Sequence, residues 1–286
     1  MKINRNENIA IISDIHSNHI SFETMYEIMR KKDVDKIVFL GDYLSDCPYP
    51  MKTVDIIMRI RSEYETYFIR GNREDYLIDY HDNKPDWSSP TGRGSLRYTY
   101  ENMDKSIIDF YKEMPLKIEL DDFIFCHASP KSNTELMHVG NKNVDDWLKR
   151  ARKNIICGHT HVKADYKIYG KRMINPGSVG ISFDNAKKGS FGIIKIRDDY
   201  FEFEFIEYDY DYLKLYAEFK NSGLFDISGY WAKAVYENIM TGKPMTSYML
   251  KDAFSQARQA GIEGDIIPEF FWGKAAEKYG IGDLND

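Results

Sequence analysis

Seven side chains able to ligate metal ions stand at five points of this 286-residue chain, each directly after a short apolar run. They are Asp14 and His16 in Asp14-Ile15-His16, Asp42 after Gly41, Asn72 after Gly71, His127, and His159 and His161 in Gly158-His159-Thr160-His161. Two carboxylates, one amide oxygen and four imidazoles make a mixed oxygen and nitrogen donor set. Such a set suits Mn, Fe, Zn or Ni and argues against an all-oxygen cage for Ca or Mg. Seven donors exceed the three or four of one catalytic zinc site. They match two cations about 3.5–4 Å apart with a carboxylate between them, which acidify a water and clamp a phosphate for in-line attack.

Taken singly, each piece has a plainer reading. Asp-Ile-His fits a strand end that caps a helix, and Gly-Asp or Gly-Asn fits a turn. Five strand ends that all run into Asp, Asn or His are a different matter. The carboxyl ends of strands in an α/β sheet converge on one rim, where ligands bind, so the five loops are expected to gather the donors there.

The elements that must position them are legible as strands at Ile9–Ser13, Lys36–Leu40, Thr66–Arg70, Phe123–Cys126 and Asn154–Cys157. Amphipathic helices fall between the first three, near 21–32 and 52–61, with Phe22, Met25, Ile28 and Met29 at helical spacing in the first. This alternation predicts βαβ units and a largely parallel sheet. A mostly helical stretch over about 74–111 is broken by a loop at 83–94, rich in Pro, Gly and Ser. Asp121-Asp122 and Arg197-Asp198-Asp199 each read as the turn of a hairpin. From 208 onward the chain reads as Tyr- and Phe-rich helices near 208–219, 230–240, 248–259 and 268–279. The expected organisation is a core of residues 1–207 carrying a helical cap insertion at about 75–115, then a helical extension of residues 208–286 packed on the core. Its aromatic content suits extra core or contact with a second copy of the chain in a homodimer.

Composition places the chain among ordinary globular proteins, with 43% hydrophobic residues, 29% charged and a net charge of −6. The acidic balance argues against nucleic acid as a partner. No apolar run approaches the roughly 20 residues that span a bilayer, and residues 1–8 do not read as a signal peptide. Three scattered cysteines, Cys47, Cys126 and Cys157, suit reduced thiols. A cytoplasmic location is expected.

The ordered set Asp14-Ile15-His16, Gly41-Asp42, Gly71-Asn72, His127 and Gly158-His159-Thr160-His161 resembles the calcineurin-like metallophosphoesterase superfamily. Asn175-Pro176-Gly177-Ser178-Val179-Gly180 resembles its small bacterial and archaeal phosphodiesterases. The resemblance implies a four-layer αββα sandwich of α/β class and a metal-dependent phosphoesterase acting on a small-molecule phosphodiester or nucleotide-type ester through a bridging hydroxide. It also implies that Asp14, His16 and His161 hold one metal, that Asn72, His127 and His159 hold the other, and that Asp42 bridges them. Mn is the first candidate metal. Phosphomonoesterase, including protein phosphatase, and a non-catalytic scaffold are the rival readings.

The chain departs from the family at two positions. Arg73 stands where the family commonly has a His after the Asn. A guanidinium stays charged and is a poor proton donor, but it can hold a phosphate. Arg73 is therefore expected to act as an electrostatic clamp beside the catalytic Asp42 and His127, with the leaving group protonated by water or by the substrate itself; an ion pair with Glu74 or Asp75 is the plainer alternative. Asp46 replaces the phosphate-binding Arg of the protein phosphatase branch, and its charge disfavours a phosphoprotein substrate. Asn18 and Ser178 are further expected substrate contacts. The 87–100 stretch, with Trp87, Arg93, Arg97, Tyr98 and Tyr100, has the content to recognise a nucleotide or simply to pack. His19 reads as a cap or surface residue, and His81 and His138 read as structural.

Overall fold

A computed structural model describes residues 1–120, 122–198 and 200–282; the two turn residues Asp121 and Asp199, and 283–286 of the expected extension, lie outside the described residues. The first half alternates strand and helix as the apolar pattern predicts: β1 (Asn8–Ile12), α1 (His19–Met29), β2 (Lys36–Phe39), α2 (Pro50–Glu63) and β3 (Glu65–Phe68). Helices α3 (Asn72–Asn83), α4 (Pro90–Glu101) and α5 (Ser106–Glu113) follow, then strands β4 (Lys117–Glu119) and β5 (Phe123–Cys126). Next come α6 (Lys142–Ala151), β6 (Asn154–Ile156), β7 (Ala164–Ile168), β8 (Lys171–Asn175), β9 (Lys188–Ile196) and β10 (Phe201–Asp209). The chain closes with α7 (Tyr212–Asn221), α8 (Leu224–Thr241), α9 (Met245–Gln259) and α10 (Glu269–Lys278).

The strands form two five-stranded sheets, ordered β10-β9-β1-β2-β3 and β4-β5-β6-β8-β7. Period-2 alternation assigns the faces. Ile9 and Ile11 of β1 point with Val38 and Leu40 into a core shared with Phe123, Phe125, Ile156 and Ile174 of the other sheet. Ala10, Ile12, Ile37 and Phe39 point the opposite way, onto Phe22, Met25 and Met29 of α1 and Ile56 and Ile60 of α2. On the outer face of the second sheet, Ile124, Cys126, Ile155 and Met173 meet Val144 and Leu148 of α6. Helix, sheet, sheet and helix thus stack as four layers.

Several expectations are corrected. The sheets are mixed: β1, β2 and β3 are parallel, but β9 runs antiparallel to β1 and β10 antiparallel to β9. The expected loop at 83–94 turns helical at Pro90, because Pro suits the first helical turn and the Ser89 side chain accepts the Gly92 N–H as an N-cap. Helix α6 and the β7–β8 hairpin had no assignment from the sequence; the hairpin is half-buried and lacks a continuous apolar run. Tyr208 belongs to β10 rather than to the first terminal helix. The terminal helices reach across the molecule to α4. Ile227 and Ser228 of α8 lie so close to Gly94 that a Cβ there would sit 2.8 Å from the Ser228 Cα. Glu269 of α10 accepts bonds from the Ser89 hydroxyl (3.0 Å) and from the Thr91 N–H and hydroxyl (3.1 and 2.6 Å). No helix among the described residues is long and apolar enough to cross a membrane.

Candidate metal centre

The loops after β1, β2, β3, β5 and β6 bring all seven expected donors to one end of the facing sheets. Asp14, His16, Asp42, His159 and His161 hold positive φ angles of 57, 49, 57, 66 and 58°. Non-glycine residues in that region carry strain on the order of 1–3 kcal/mol each and persist only where the surroundings fix them. The loops meet backbone to backbone. Gly41 has φ of +105°, and a Cβ there would lie 2.7 Å from both Cα and N of Gly71, so the Asp42 and Asn72 loops can touch only as glycine loops.

The buried carboxylate of Glu74 holds those two loops in register. It accepts the N–H of Asp42 (2.9 Å), of Tyr43 (2.8 Å) and of Gly71 (2.8 Å). Burial, and then the nearby Asp42 charge, push the Glu74 carboxyl up to about 7. The sequence offered only a local signal for this residue, a Glu at the third position of α3 that also caps the helix.

The donors form two groups that share one residue. Asp14, His16, Asp42 and His161 offer ligand atoms within 4.8 Å of one another, and so do Asp42, His127 and His159. Asp42 faces both: one carboxylate oxygen lies 3.5 Å from His16 Nε2 and the other 3.4 Å from His127 Nε2. Asn72 joins the second group, with Oδ1 3.1 Å from His127 Nε2. In the first group, His161 Nε2 is 3.4 Å from Asp14 Oδ1 and 3.1 Å from His16 Nε2.

Partners behind the rings orient the donor atoms. His127 Nδ1 bonds the Leu40 carbonyl (2.8 Å), His161 Nδ1 the Ile181 carbonyl (2.5 Å), and His16 Nδ1 the Ser45 hydroxyl (2.8 Å) and Asp46 (3.0 Å). Each ring therefore turns Nε2 inward, the arrangement found behind histidine metal ligands. Asp14 Oδ1 is buried with no hydrogen-bond partner, an orphaned carboxylate oxygen that a cation satisfies. The two donor groups fit metal ions. Burial opposes ionisation of Asp42, but His127, His16 and Arg73 hold its carboxyl well below the usual range. Burial, with the neighbouring His127, pushes His159 down to about 4, leaving its ring neutral as a ligand must be.

A cavity of about 410 Å³ opens over this cluster, lined by His16, Asp42, Asn72, His159 and His161 on one side and by α8 and α9 on the other. Arg73 lines it as well. Its guanidinium pairs with Asp46 at 3.1 Å and lies over the Trp231 ring at 5.9 Å, while its backbone N–H donates to Asp42 (2.9 Å). The alternative of an Arg73 pair with Asp75 is not seen, since Asp75 pairs with Arg70 at 2.8 Å.

The cavity lining bears on the expected substrate contacts. Asn18 is buried and caps α1, its amide accepting from the Ser21 N–H (3.1 Å) and donating to the Gly180 carbonyl (2.8 Å). Ser178 is buried too, donating to the Asp14 carbonyl (2.8 Å) and accepting from the Ile181 N–H (2.8 Å). Both position the donor loops and neither lines the cavity. No residue of 87–100 lines it either; Trp87 stacks on Tyr80 with ring centres 3.9 Å apart. Conversely His138, expected to be structural, does line it. It follows no strand, so nothing in the pattern marked it. His81 bonds the Tyr100 hydroxyl and His19 pairs with Glu218.

Comparisons with known proteins agree with this fold. Among curated proteins, an uncharacterized protein of Methanocaldococcus jannaschii is 28% identical over 229 residues, 73% of this chain and 90% of that one. Among solved structures, a metallophosphoesterase from Sphaerobacter thermophilus superposes with a TM-score of 0.64 at 20% identity, over 82% of this chain and 98% of that one. A hypothetical protein from Pyrococcus horikoshii gives 0.66 at 16% identity, over 82% and 98%. The model of the calcineurin-like phosphoesterase superfamily domain matches residues 8–199, a span that holds every donor of both groups. The chain belongs to the calcineurin-like phosphoesterase superfamily.

Proposed function

We propose that this protein hydrolyses a small-molecule phosphate ester with two divalent cations, Mn first among the candidates and Fe, Zn or Ni as alternatives, and that it prefers diesters to monoesters. The observation that carries the reading is Asp42, whose two oxygens face two separate donor groups. Asp14, His16 and His161 would hold one ion, Asn72, His127 and His159 the other, and Asp42 both. Bound there, the ions supply positive charge to the phosphate and acidify water.

The chain's own residues do the rest. Hydrogen bonds behind the His16, His127 and His161 rings keep their Nε2 atoms aimed inward, and Glu74 keeps the Asp42 and Asn72 loops together. The Arg73 guanidinium stands at the cavity to offset charge gathering on the phosphate as water adds to phosphorus and the bond to the leaving oxygen breaks. That oxygen takes its proton from water or from His138. Because Arg73 is already shared with Asp46, little cationic capacity remains for a dianionic terminal phosphate, which supports the diester preference. Buried thiols at Cys47, Cys126 and Cys157 fit a reducing cytoplasm.

The test is metal analysis of the purified protein together with rates on a matched activated diester and monoester, with and without Mn²⁺. Metal-dependent hydrolysis with the diester faster is expected. Hydrolysis that ignores metal would defeat the reading, and a faster monoester would reverse the preference.

A further inference from the structure

The wall facing the donors narrows the substrate class, an inference that rests on the hydrolase reading above. That wall is mostly carbon: Leu136 from the loop after β5, Phe183 from the loop before β9, Trp231 and Val235 of α8, and Leu250 of α9. Leu136 and Leu250 are 48% and 39% exposed at the mouth. Phe183 stacks on His161, ring centres 4.5 Å apart and planes 18° from parallel, so an aromatic face lies directly beside the donor cluster. Two of the polar groups on this side are spent on each other: Asn238 donates to the Thr246 hydroxyl (2.9 Å) and accepts the Thr246 N–H (3.1 Å), so of the polar side chains there only Ser247 and His138 remain beside the apolar ones.

Charge points the same way. Arg73 is the one Lys or Arg among the described residues lining the cavity, and Asp46 already balances it. Two divalent ions set against Asp14, Asp42 and the attacking hydroxide leave a surplus of about one positive charge, enough for one phosphate diester and too little for a polyphosphate chain. We propose that the substrate is an ester of a single phosphate whose organic group is apolar or aromatic and seats against Phe183, Leu136 and Leu250, and that nucleoside di- and triphosphates are excluded. Trp231, Val235 and Leu250 come from helices beyond residues 8–199, so much of this wall lies outside the family-matched span.

Two measurements on the full-length, Mn-loaded protein decide it. Calorimetry should find phenylphosphonate bound at least tenfold tighter than methylphosphonate, and α,β-methylene-ADP weaker than phenylphosphonate. In Phe183→Ala and Leu250→Ala the phenyl-to-methyl affinity ratio should fall about fivefold or more, with circular dichroism matching the parent. Kinetics should give phenyl esters a kcat/KM at least tenfold above that of nucleoside di- and triphosphates. Equal affinities for the two phosphonates, a ratio the variants do not move, or a preference for nucleotides would overturn the proposal. Failure to hydrolyse any ester would instead remove the hydrolase reading, while the binding comparison still judges the wall.

Discussion

Asp46 holds His16 by a 3.0 Å contact between its carboxylate and the ring Nδ1. The same buried carboxylate pairs with Arg73 at 3.1 Å and accepts the Ser95 hydroxyl and the Trp231 indole N–H, both at 2.8 Å. Burial opposes its charge, yet Arg73 and His16 hold it well below the usual carboxylate range. One acid therefore orients a candidate metal ligand and the candidate phosphate clamp, and ties α4 and α8 to both.

Asp46→Asn should keep the shape of this hub and lose its charge. Partners behind metal ligands typically contribute about 10–100-fold in metal affinity, so Mn²⁺ titration should show a loss of that size with little change in secondary structure. Unchanged affinity would mean that the contact to His16 is incidental.

Arg73→Ala should lower kcat/KM for phosphate esters by about 10²-fold, the loss typical of one charge-stabilising group at a developing anion. Arg73→Lys should recover only part of it, since an ammonium cannot pair with Asp46 and phosphate through one planar fork. Steady-state kinetics on both variants is the measurement; an alanine variant with full activity would remove the clamp.

The seven donors were legible in the sequence because each is anchored by a local rule, a short apolar strand that runs into a polar residue at the same rim. The hub was not. Asp46 meets Ser95 and Trp231 across separations of 49 and 185 residues, and no pattern within a window reports contacts of that range. The same holds for the cavity wall, where Phe183 and Leu250 read as ordinary apolar residues until the terminal helices fold back. Asn18 and Ser178 misled for the opposite reason: polar residues beside motif positions suggested ligand contact, but loops this strained need internal hydrogen bonds, and both side chains are spent there.

Glu74→Ala should be severely destabilising. The substitution leaves three buried N–H groups, those of Gly71, Asp42 and Tyr43, without an acceptor, at about 1–3 kcal/mol for each unsatisfied group. A chemical melt should show a loss of at least about 3 kcal/mol, and Glu74→Gln, which keeps one acceptor oxygen, a smaller one. Equal stability of all three proteins would mean that the loops are held by other contacts.

His138 is the histidine of the cavity lining that belongs to neither donor group. If it protonates the leaving oxygen, His138→Gln should slow esters of poor leaving groups at least tenfold more than activated aryl esters, which depart without help. An equal loss across the series would make it part of the wall only.

Metal uptake should strengthen as pH rises. Burial works against a charge on His127, but Asp42, and behind it Asp14 and Glu74, outweigh it and push the metal-free ring up to about 9. At pH 7 the ring is therefore protonated, and Nε2 must give up that proton to ligate. The sign is fixed by competition: below about 9 each lower pH unit leaves fewer free rings, so Mn²⁺ affinity of the second site should fall up to about tenfold per unit. Calorimetry at pH 6.5, 7.5 and 8.5 in buffers of different ionisation enthalpy measures both the slope and the protons released. A flat profile with no proton release would mean that His127 binds no metal, and would leave only Asn72 and His159 beside Asp42 in that group.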